Sequence, residues 1–392
     1  MTTHFIVLIC VLLLIAYIFD ITSSKTKIPS VILLLLIGWF LKQGTLFFQI
    51  KTPELTPFLP ILGTLGLILI VMEGSLELQL NKEKLPFVGK ATIIALFPIL
   101  IFSLGFTFVL HYYGNISLKI ALINAIPFAI ISSAIAIPSA QNLIAKNKEF
   151  VTYESSLSDI FGVILFNFIL LNNEISIGSV GEFFVDLILT FIITAIATIG
   201  LTYLLGKIKH HVKFLPIILM VILIYSIAKH YHLPALIFIL LFGLFLGNLK
   251  QFDSNKFIQK LQPEILNSEV LKFKELIIEF AFLIRALFFT LFGYLINSSE
   301  LLNINSISWA VGIVIGIYLI RFIFLKIIKC DVKPLLFFAP RGLITILLFL
   351  NIPESQTIYF VNNSLVIQVI ILSSLIMMVG LITNKEESIE EV

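Results

Sequence analysis

Thirteen apolar runs cut this chain from end to end, and each is long enough, or nearly long enough, to cross a bilayer. They cover residues 4–20, 28–41, 56–76, 86–111, 118–140, 150–171, 182–206, 213–229, 233–249, 270–297, 306–329, 333–350 and 364–383. A membrane helix needs about 20 mostly apolar residues, fewer where it is broken. The second, eighth and ninth runs are the short ones. Charged residues make up 12% of the chain, about half the share of an average soluble domain, and the mean hydropathy is +1.09. That excludes a soluble enzyme, a disordered chain and a nucleic-acid binder. The net charge of +3 is too small to select a polyanionic partner. The sequence therefore predicts an all-α polytopic membrane protein of about 13 transmembrane helices, with the lipid bilayer as its main partner.

The punctuation agrees with that count. Pro29, Pro57, Pro86, Pro216, Pro234 and Pro334 fall near predicted helix starts, where a missing N–H costs little. Nineteen of the 23 lysines lie in the loops after the odd-numbered segments or in the C-terminal tail. Lys42, Lys51, Lys119 and Lys229 are the four on the other side. Cytoplasmic loops carry the excess of Lys and Arg. The expected topology is multi-pass in the inner cell membrane, with the N-terminus outside and the C-terminus in the cytoplasm. The first run lacks a basic leader and an A-x-A cleavage site, so it reads as a membrane helix and not a signal peptide. Residues 250–270 read as an interfacial linker helix, and residues 384–392 as a short acidic cytoplasmic tail. Cys10 and Cys330 are too far apart in sequence to suggest a metal motif or a disulfide framework.

Charges inside the apolar runs carry more information. Arg285, Arg321 and Arg341 are the three arginines, and each falls within or at the edge of the tenth, eleventh or twelfth run. An arginine at a helix centre costs about 2.5–3.5 kcal/mol on insertion scales. Such residues persist when paired or when lining a polar cavity. Arg285 lies about eleven residues from Lys274, or ~16 Å along a helix. The acids that could answer these charges include Glu73, Glu154, Asp159 and Glu279. Asp159 is about eleven residues past Lys148, again ~16 Å deep. Burial disfavours a bare carboxylate unless a proton or a cation neutralises it, so Asp159 reads as a transport carboxylate. Ser155 and Asp159 are i, i+4 and share a helix face. Glu154 lies about 140° away around the same helix and reads as half of a structural ion pair with an arginine.

Two apolar runs are interrupted. The fifth contains Pro127 and then Ile131-Ser132-Ser133-Ala134-Ile135-Ala136-Ile137-Pro138. The twelfth contains Phe338-Ala339-Pro340-Arg341-Gly342. Unwound backbone is tolerated in a membrane where protein or a wet cavity satisfies it. Paired interruptions at corresponding places point to inverted repeats with an ion site between the broken helices. The offset of seven segments predicts one transmembrane transporter domain over 1–392. Repeat one covers about 1–172, a linker helix about 182–206, and repeat two about 213–383.

These residues resemble the monovalent cation:proton antiporter superfamily, notably its sodium/proton exchanger branch. Met72-Glu73-Gly74-Ser75-Leu76 looks like the family's F-E-G-x-L. Glu154-Ser155-Ser156-Leu157-Ser158-Asp159 looks like E-S-L-x-N-D. Arg341-Gly342-Leu343 is similar to its arginine-glycine motif. The resemblance implies an NhaA-like antiporter fold with crossing broken helices, and a homodimer. It implies that Asp159 binds either a proton or the cation. Ser155 and Glu73 would complete the Na⁺ ligands, Ser158 would stand where the family has the Asn of its N-D pair, and backbone oxygens would come from near Ser132 and Ser133. Glu154 would pair with Arg321; Arg285 and Arg341 would be structural or modulatory charges. The family's T-D-P signature is Ser132-Ser133-Ala134 here, which looks more like the potassium-efflux branch.

The expected function is exchange of a monovalent cation, Na⁺ first with Li⁺ or K⁺ as alternatives, for H⁺ by competition at Asp159. No cofactor is expected beyond the transported ions. The other reading is a sodium-coupled organic-anion symporter, with Arg285 or Arg341 facing a substrate carboxylate. An enzyme is not expected: there is no G-x-S-x-G elbow and no Gly-rich phosphate loop. His210-His211 and His230-x-His232 lie at loops or helix ends.

Overall fold

The computed structural model describes residues 2–50, 52–78, 84–141, 143–172, 177–208, 210, 212–252 and 263–383. The described residues form fifteen α-helices joined by turns and short 3₁₀ segments. They are α1 (Thr2–Thr26), α2 (Ser30–Phe47), α3 (Phe58–Glu77), α4 (Leu85–Gly114), α5 (Leu118–Ala129), α6 (Ser133–Ser139), α7 (Ala145–Leu171) and α8 (Ile177–Lys207). There follow α9 (Phe214–His230), α10 (Ala235–Gly247), α11 (Pro263–Leu295), α12 (Ser298–Leu301), α13 (Ile304–Ile327), α14 (Leu343–Leu350) and α15 (Asn363–Thr383). Among the described residues nine spans are long and apolar enough to cross a membrane, α5 and α6 counting together as one; Ile9–Ser23, α9 and α10 are shorter apolar helices. With the broken twelfth segment these account for the thirteen expected spans. The expected linker helix at 250–270 falls largely outside the described residues, beyond a 3₁₀ turn at Leu249–Phe252 and before α11. The tail at 384–392 lies outside them as well.

The two interrupted segments break differently. In the fifth, α5 ends at Ala129, and Ile130 and Ser132 adopt extended backbone before α6 begins. In the twelfth, the break expected at residues 338–342 takes up the first half of the segment as well. Leu335–Phe337 forms a 3₁₀ turn, residues 338–342 are irregular, and α14 starts at Leu343. Pro334 and Pro340 each lack the N–H that a helical hydrogen bond needs. Pro340 also disfavours helical backbone at Ala339.

The chain divides into two compact units. The first comprises Met1–Gly66, Lys90–Gly162 and Leu283–Val392; the second comprises Leu67–Gly89 and Val163–Phe282. In the first, α2 packs directly on the end of α11. A Cβ at Gly38 would collide with the Thr290 carbonyl oxygen, and one at Gly293 with the Leu35 backbone. Small residues let membrane helices approach this closely, where van der Waals packing replaces the hydrophobic effect. Trp39 Nε1 donates to Ser298 Oγ at 3.2 Å, and Lys42 Nζ to Asn297 Oδ1 at 2.6 Å, at the end of the same pair. A capping box between Asn297 and Glu300 starts α12.

In the second unit, α8 packs against α9 and α10. Its buried face carries Thr190, Thr194, Thr198 and Thr202, spaced by four residues so that they form one stripe. The opposite face exposes Phe184, Ile188, Ile192 and Ile196, as a lipid-facing surface requires. Asn248 Nδ2 donates to the Leu78 carbonyl at 2.8 Å, tying the end of α10 to the end of α3. Lys213 pairs with Glu269, and Lys274 with Glu77 at 3.4 Å.

Candidate functional site

The break between α5 and α6 and the break before α14 meet inside the first unit. Ser132 N–H donates to the Pro340 carbonyl at 2.9 Å, so the two unwound stretches satisfy each other. Gly342 lies against this contact: a Cβ there would sit 2.6 Å from Ile135 Cδ1 and 2.9 Å from Ser132 Oγ. A side chain at residue 342 would require the Ile135 and Ser132 side chains to shift.

Helix α7 supplies the side chains that hold the first break. Ser158 Oγ accepts the N–H of Ile131 at 2.9 Å. Asp159 Oδ2 accepts the hydroxyl of Ser133 and, at 3.4 Å, its N–H. A carboxylate thus faces the amino end of α6, where unpaired N–H groups and the peptide dipoles favour negative charge. Asp159 is 1% exposed, and its second oxygen, Oδ1, has no hydrogen-bond partner. The hydroxyls of Ser155 and Ser132 are likewise buried without a partner. Ser155 could have bonded the carbonyl four residues back, the usual outlet for a helical hydroxyl. Thr152, on the same helix, does so to Lys148 at 2.9 Å. The first unit therefore holds a buried carboxylate oxygen and two hydroxyls with unused lone pairs. Hard monovalent cations and protons are the species such oxygens take up.

Two arginines brace this arrangement. Arg321, on α13, grips Glu154 through both guanidinium nitrogens, with Nη2–Oε2 at 2.9 Å. It also donates twice to the Leu335 carbonyl, at 3.0 and 2.7 Å. The fork geometry of arginine suits a carboxylate of this kind, and Glu154 is directed away from the Asp159 face of α7. Arg341 sits in the second break. Its Nε and Nη2 donate to the carbonyls of Phe128 and Ala129 at 2.8 and 3.0 Å, and its Nη1 to that of Ala339 at 2.6 Å. These carbonyls at the end of α5 have no helical N–H partner, and a full positive charge complements the negative end of the helix dipole. Sequence reasoning singled out Arg341 but not this task, because its acceptors are backbone atoms. It also passed over Ser373, whose hydroxyl accepts the Arg341 N–H at 3.0 Å, and Tyr318, which donates to the Ser373 carbonyl at 3.1 Å.

Of the other candidates, Arg285 is buried on the part of α11 that belongs to the first unit. Glu73 is buried in the second unit, near the end of α3. Among the described residues no three His, Cys, Asp or Glu side chains group as a metal cluster. The donors at the crossing are instead one carboxylate and several hydroxyls.

Comparison with known proteins follows the same outline. The chain resembles solved structures of the sodium proton antiporter MjNhaP1 from Methanocaldococcus jannaschii. For the structure at pH 8 the TM-score is 0.64 at 19% identity, covering 96% of this chain and 95% of that one. For the electron-microscopy structure the TM-score is 0.65 at 20% identity, covering 97% and 95%. This shared architecture is the antiporter fold, with inverted repeats and crossing broken helices. No curated protein sequence matched the chain. The family model for the transmembrane sodium/hydrogen exchanger matches residues 10–384, nearly the whole sequence. The chain is therefore a member of the sodium/hydrogen exchanger family, a multi-pass transporter and not an enzyme.

Proposed function

We propose that this exchanger binds its cation and its proton in turn at Asp159. The observation that carries the reading is the unpartnered Asp159 Oδ1, buried on the helix face that also bears the unpartnered Ser155 hydroxyl. A deprotonated Asp159 takes Na⁺ with Ser155, Ser132 and Ser133 contributing oxygens, and Ser158 holding the crossing chain in place. Li⁺ or K⁺ would use the same oxygens. A proton displaces the cation when the site opens to the other side. Loss of either ligand leaves a charge in low dielectric, so an empty, charged site is strongly disfavoured. That coupling prevents uncompensated leak. One exchanging carboxylate gives one proton per cation and electroneutral transport.

Alternating access moves the unit that holds the fifth, sixth, twelfth and thirteenth segments against the rest; the repeats cover about 1–172 and about 213–383, with 182–206 as the linker helix. Glu154–Arg321 and Arg341 stay paired through the cycle. The lysine distribution supports an inner-membrane protein with its N-terminus outside, and the family resemblance supports a homodimer.

The test is dissipation of a pH gradient in everted vesicles on addition of Na⁺, Li⁺ or K⁺. Wild type should respond and Asp159→Asn should not. Undiminished exchange by the variant would remove Asp159 from the mechanism. Uptake of a labelled organic anion driven by Na⁺ without proton movement would replace antiport by symport.

A further inference from the structure

A serine hydroxyl from the next long helix pins each break. Ile131, two residues before α6, donates its N–H to Ser158 on α7 at 2.9 Å. Arg341, two residues before α14, donates its N–H to Ser373 on α15 at 3.0 Å. Ser158 is followed by the carboxylate of Asp159. The helix that carries Ser373 has no acid along its length, so the use of Ser373 lies in the bond it makes.

That bond has a fixed direction. Ser373 is fully buried, and its hydroxyl proton goes to the Ile370 carbonyl at 3.1 Å, an ordinary outlet for a helical serine. Only its lone pairs remain for Arg341. The Arg341 N–H lies before the N-cap of α14 and takes no part in the helical ladder, so Ser373 is what satisfies it. Tyr318, on α13, adds a second tie. Its hydroxyl lies 3.1 Å from the Ser373 carbonyl and 3.5 Å from the Phe337 carbonyl. Phe337 is the last residue of the 3₁₀ turn before the unwound stretch. One side chain thus links the start of that stretch to the helix that bonds its end.

The stretch held in this way is the one that meets the first break, and it does so at three consecutive residues. The Pro340 carbonyl accepts the Ser132 N–H. The Arg341 guanidinium holds the Phe128 and Ala129 carbonyls. Gly342 lies against Ile135 and the Ser132 hydroxyl. The next residue, Ser133, gives its hydroxyl and its N–H to Asp159. Backbone outside a helical ladder opens easily unless other groups hold it, so the place of residues 338–342 depends on these outside bonds.

We propose that Ser373 and Tyr318 are positioning residues for the ion site. They hold the main chain at 337–341, and through Pro340, Arg341 and Gly342 they set Ser132 and Ser133 beside Asp159. The proposal rests on the crossing being the site of exchange, and neither residue touches the ion.

The experiment compares Ser373→Ala, Ser373→Cys and Tyr318→Phe with wild type, all as full-length protein. The Na⁺ dependence of pH-gradient dissipation in everted vesicles gives KM and kcat. One neutral hydrogen bond corresponds to roughly two- to tenfold in binding. Ser373→Ala should raise the KM for Na⁺ by that factor and change kcat less. Ser373→Cys, of similar shape with a weaker acceptor, should fall between alanine and wild type, and Tyr318→Phe should raise KM less than Ser373→Ala. Amide hydrogen exchange of the purified proteins, read by mass spectrometry, should quicken in Ser373→Ala at 338–342 and also at 130–133. A merely structural serine would lower the melting temperature and quicken 338–342 with KM and 130–133 unchanged, and that result overturns the proposal. A raised KM without faster amide exchange at 130–133 also overturns it, since the effect would not pass through the crossing. Should Ser373→Ala fail to fold, the cysteine and phenylalanine variants are read by the same two criteria. Asp159→Asn separates this proposal from the reading it rests on: normal cation exchange by that variant would remove Asp159 from the mechanism, while faster amide exchange at 130–133 in Ser373→Ala would stand.

Discussion

Arg321 holds Glu154 by both carboxylate oxygens and donates twice more to the Leu335 carbonyl. All three partners are in the first unit, and both charged side chains are nearly inaccessible. The pair joins α7, which carries Asp159, to α13 and to the 3₁₀ turn that leads into the second break. Its task is to fix the position of α7 without occupying the face that binds ions.

Breaking this pair from one side leaves a buried charge unanswered. Glu154→Ala and Arg321→Ala should each lower stability by about 3–5 kcal/mol. Glu154→Gln/Arg321→Met, which removes both charges, should recover a large part of that loss. Chemical denaturation of the purified variants measures the difference, and equal losses in the single and double variants would contradict it. Any double variant that folds should still exchange cations.

Arg341 predicts a different pattern. It answers the end of a helix and not a carboxylate. Arg341→Lys keeps the charge but cannot reach Phe128, Ala129 and Ala339 together, because a lysine is a point donor where arginine is a planar fork. Arg341→Lys should retain partial exchange. Arg341→Met should lose it, together with about 1–3 kcal/mol of stability for each carbonyl left buried and unpaired. Exchange assays beside melting curves would show the order arginine, lysine, methionine. A methionine variant as active as wild type would remove the helix-end account.

Ser155 and Ser158 sit three residues apart but should respond differently. Ser158 Oγ accepts a backbone N–H at the break, so Ser158→Ala should cost about 1–3 kcal/mol of stability. Ser155 has no protein partner to lose. Ser155→Ala should leave the melting temperature near wild type and raise the KM for the cation by roughly fivefold, the equivalent of about 1 kcal/mol of lost ligand binding. Measuring KM and Tm for both variants separates the roles. A stability loss in Ser155→Ala with unchanged KM would reverse them.

The legibility of these features in the sequence follows from what each depends on. Span positions depend on hydropathy and proline, which are local, so twelve of the thirteen segments appear close to where they were expected. The shared face of Ser155 and Asp159 depends on helical period alone. The break in the twelfth segment was legible from Pro340 and Gly342, but not that the residues before it form only a 3₁₀ turn at Leu335–Phe337. The partners of Arg341 were hidden for another reason. Three backbone carbonyls are anonymous in a sequence, and nothing marks Phe128 or Ala129 as acceptors until the break at Ile130 is placed beside residue 341. Ser373 was missed likewise, since a serine in an apolar helix has a ready bond to its own backbone.

Gly342 is a close approach at the crossing, and it turns that contact into a paired test. A Cβ on residue 342 would lie 2.6 Å from Ile135 Cδ1 and 2.9 Å from Ser132 Oγ. The isoleucine end is flexible, but Ile135 is fully buried in a packed interior, and overpacking of this kind costs about 1–3 kcal/mol. The strain falls on the stretch that presents Ser132 and Ser133 to Asp159. Gly342→Ala should therefore raise the KM for the cation as well as lower the melting temperature. Ile135→Val removes the atom that the new methyl strikes. The double variant Gly342→Ala/Ile135→Val should regain stability and cation affinity together, whereas Ile135→Val alone should lose about 0.5–1.5 kcal/mol of stability with KM unchanged. Additive losses in the double variant would mean that the two residues do not share a contact at the crossing. Recovery of stability without recovery of KM would mean that the crossing does not position the ion ligands.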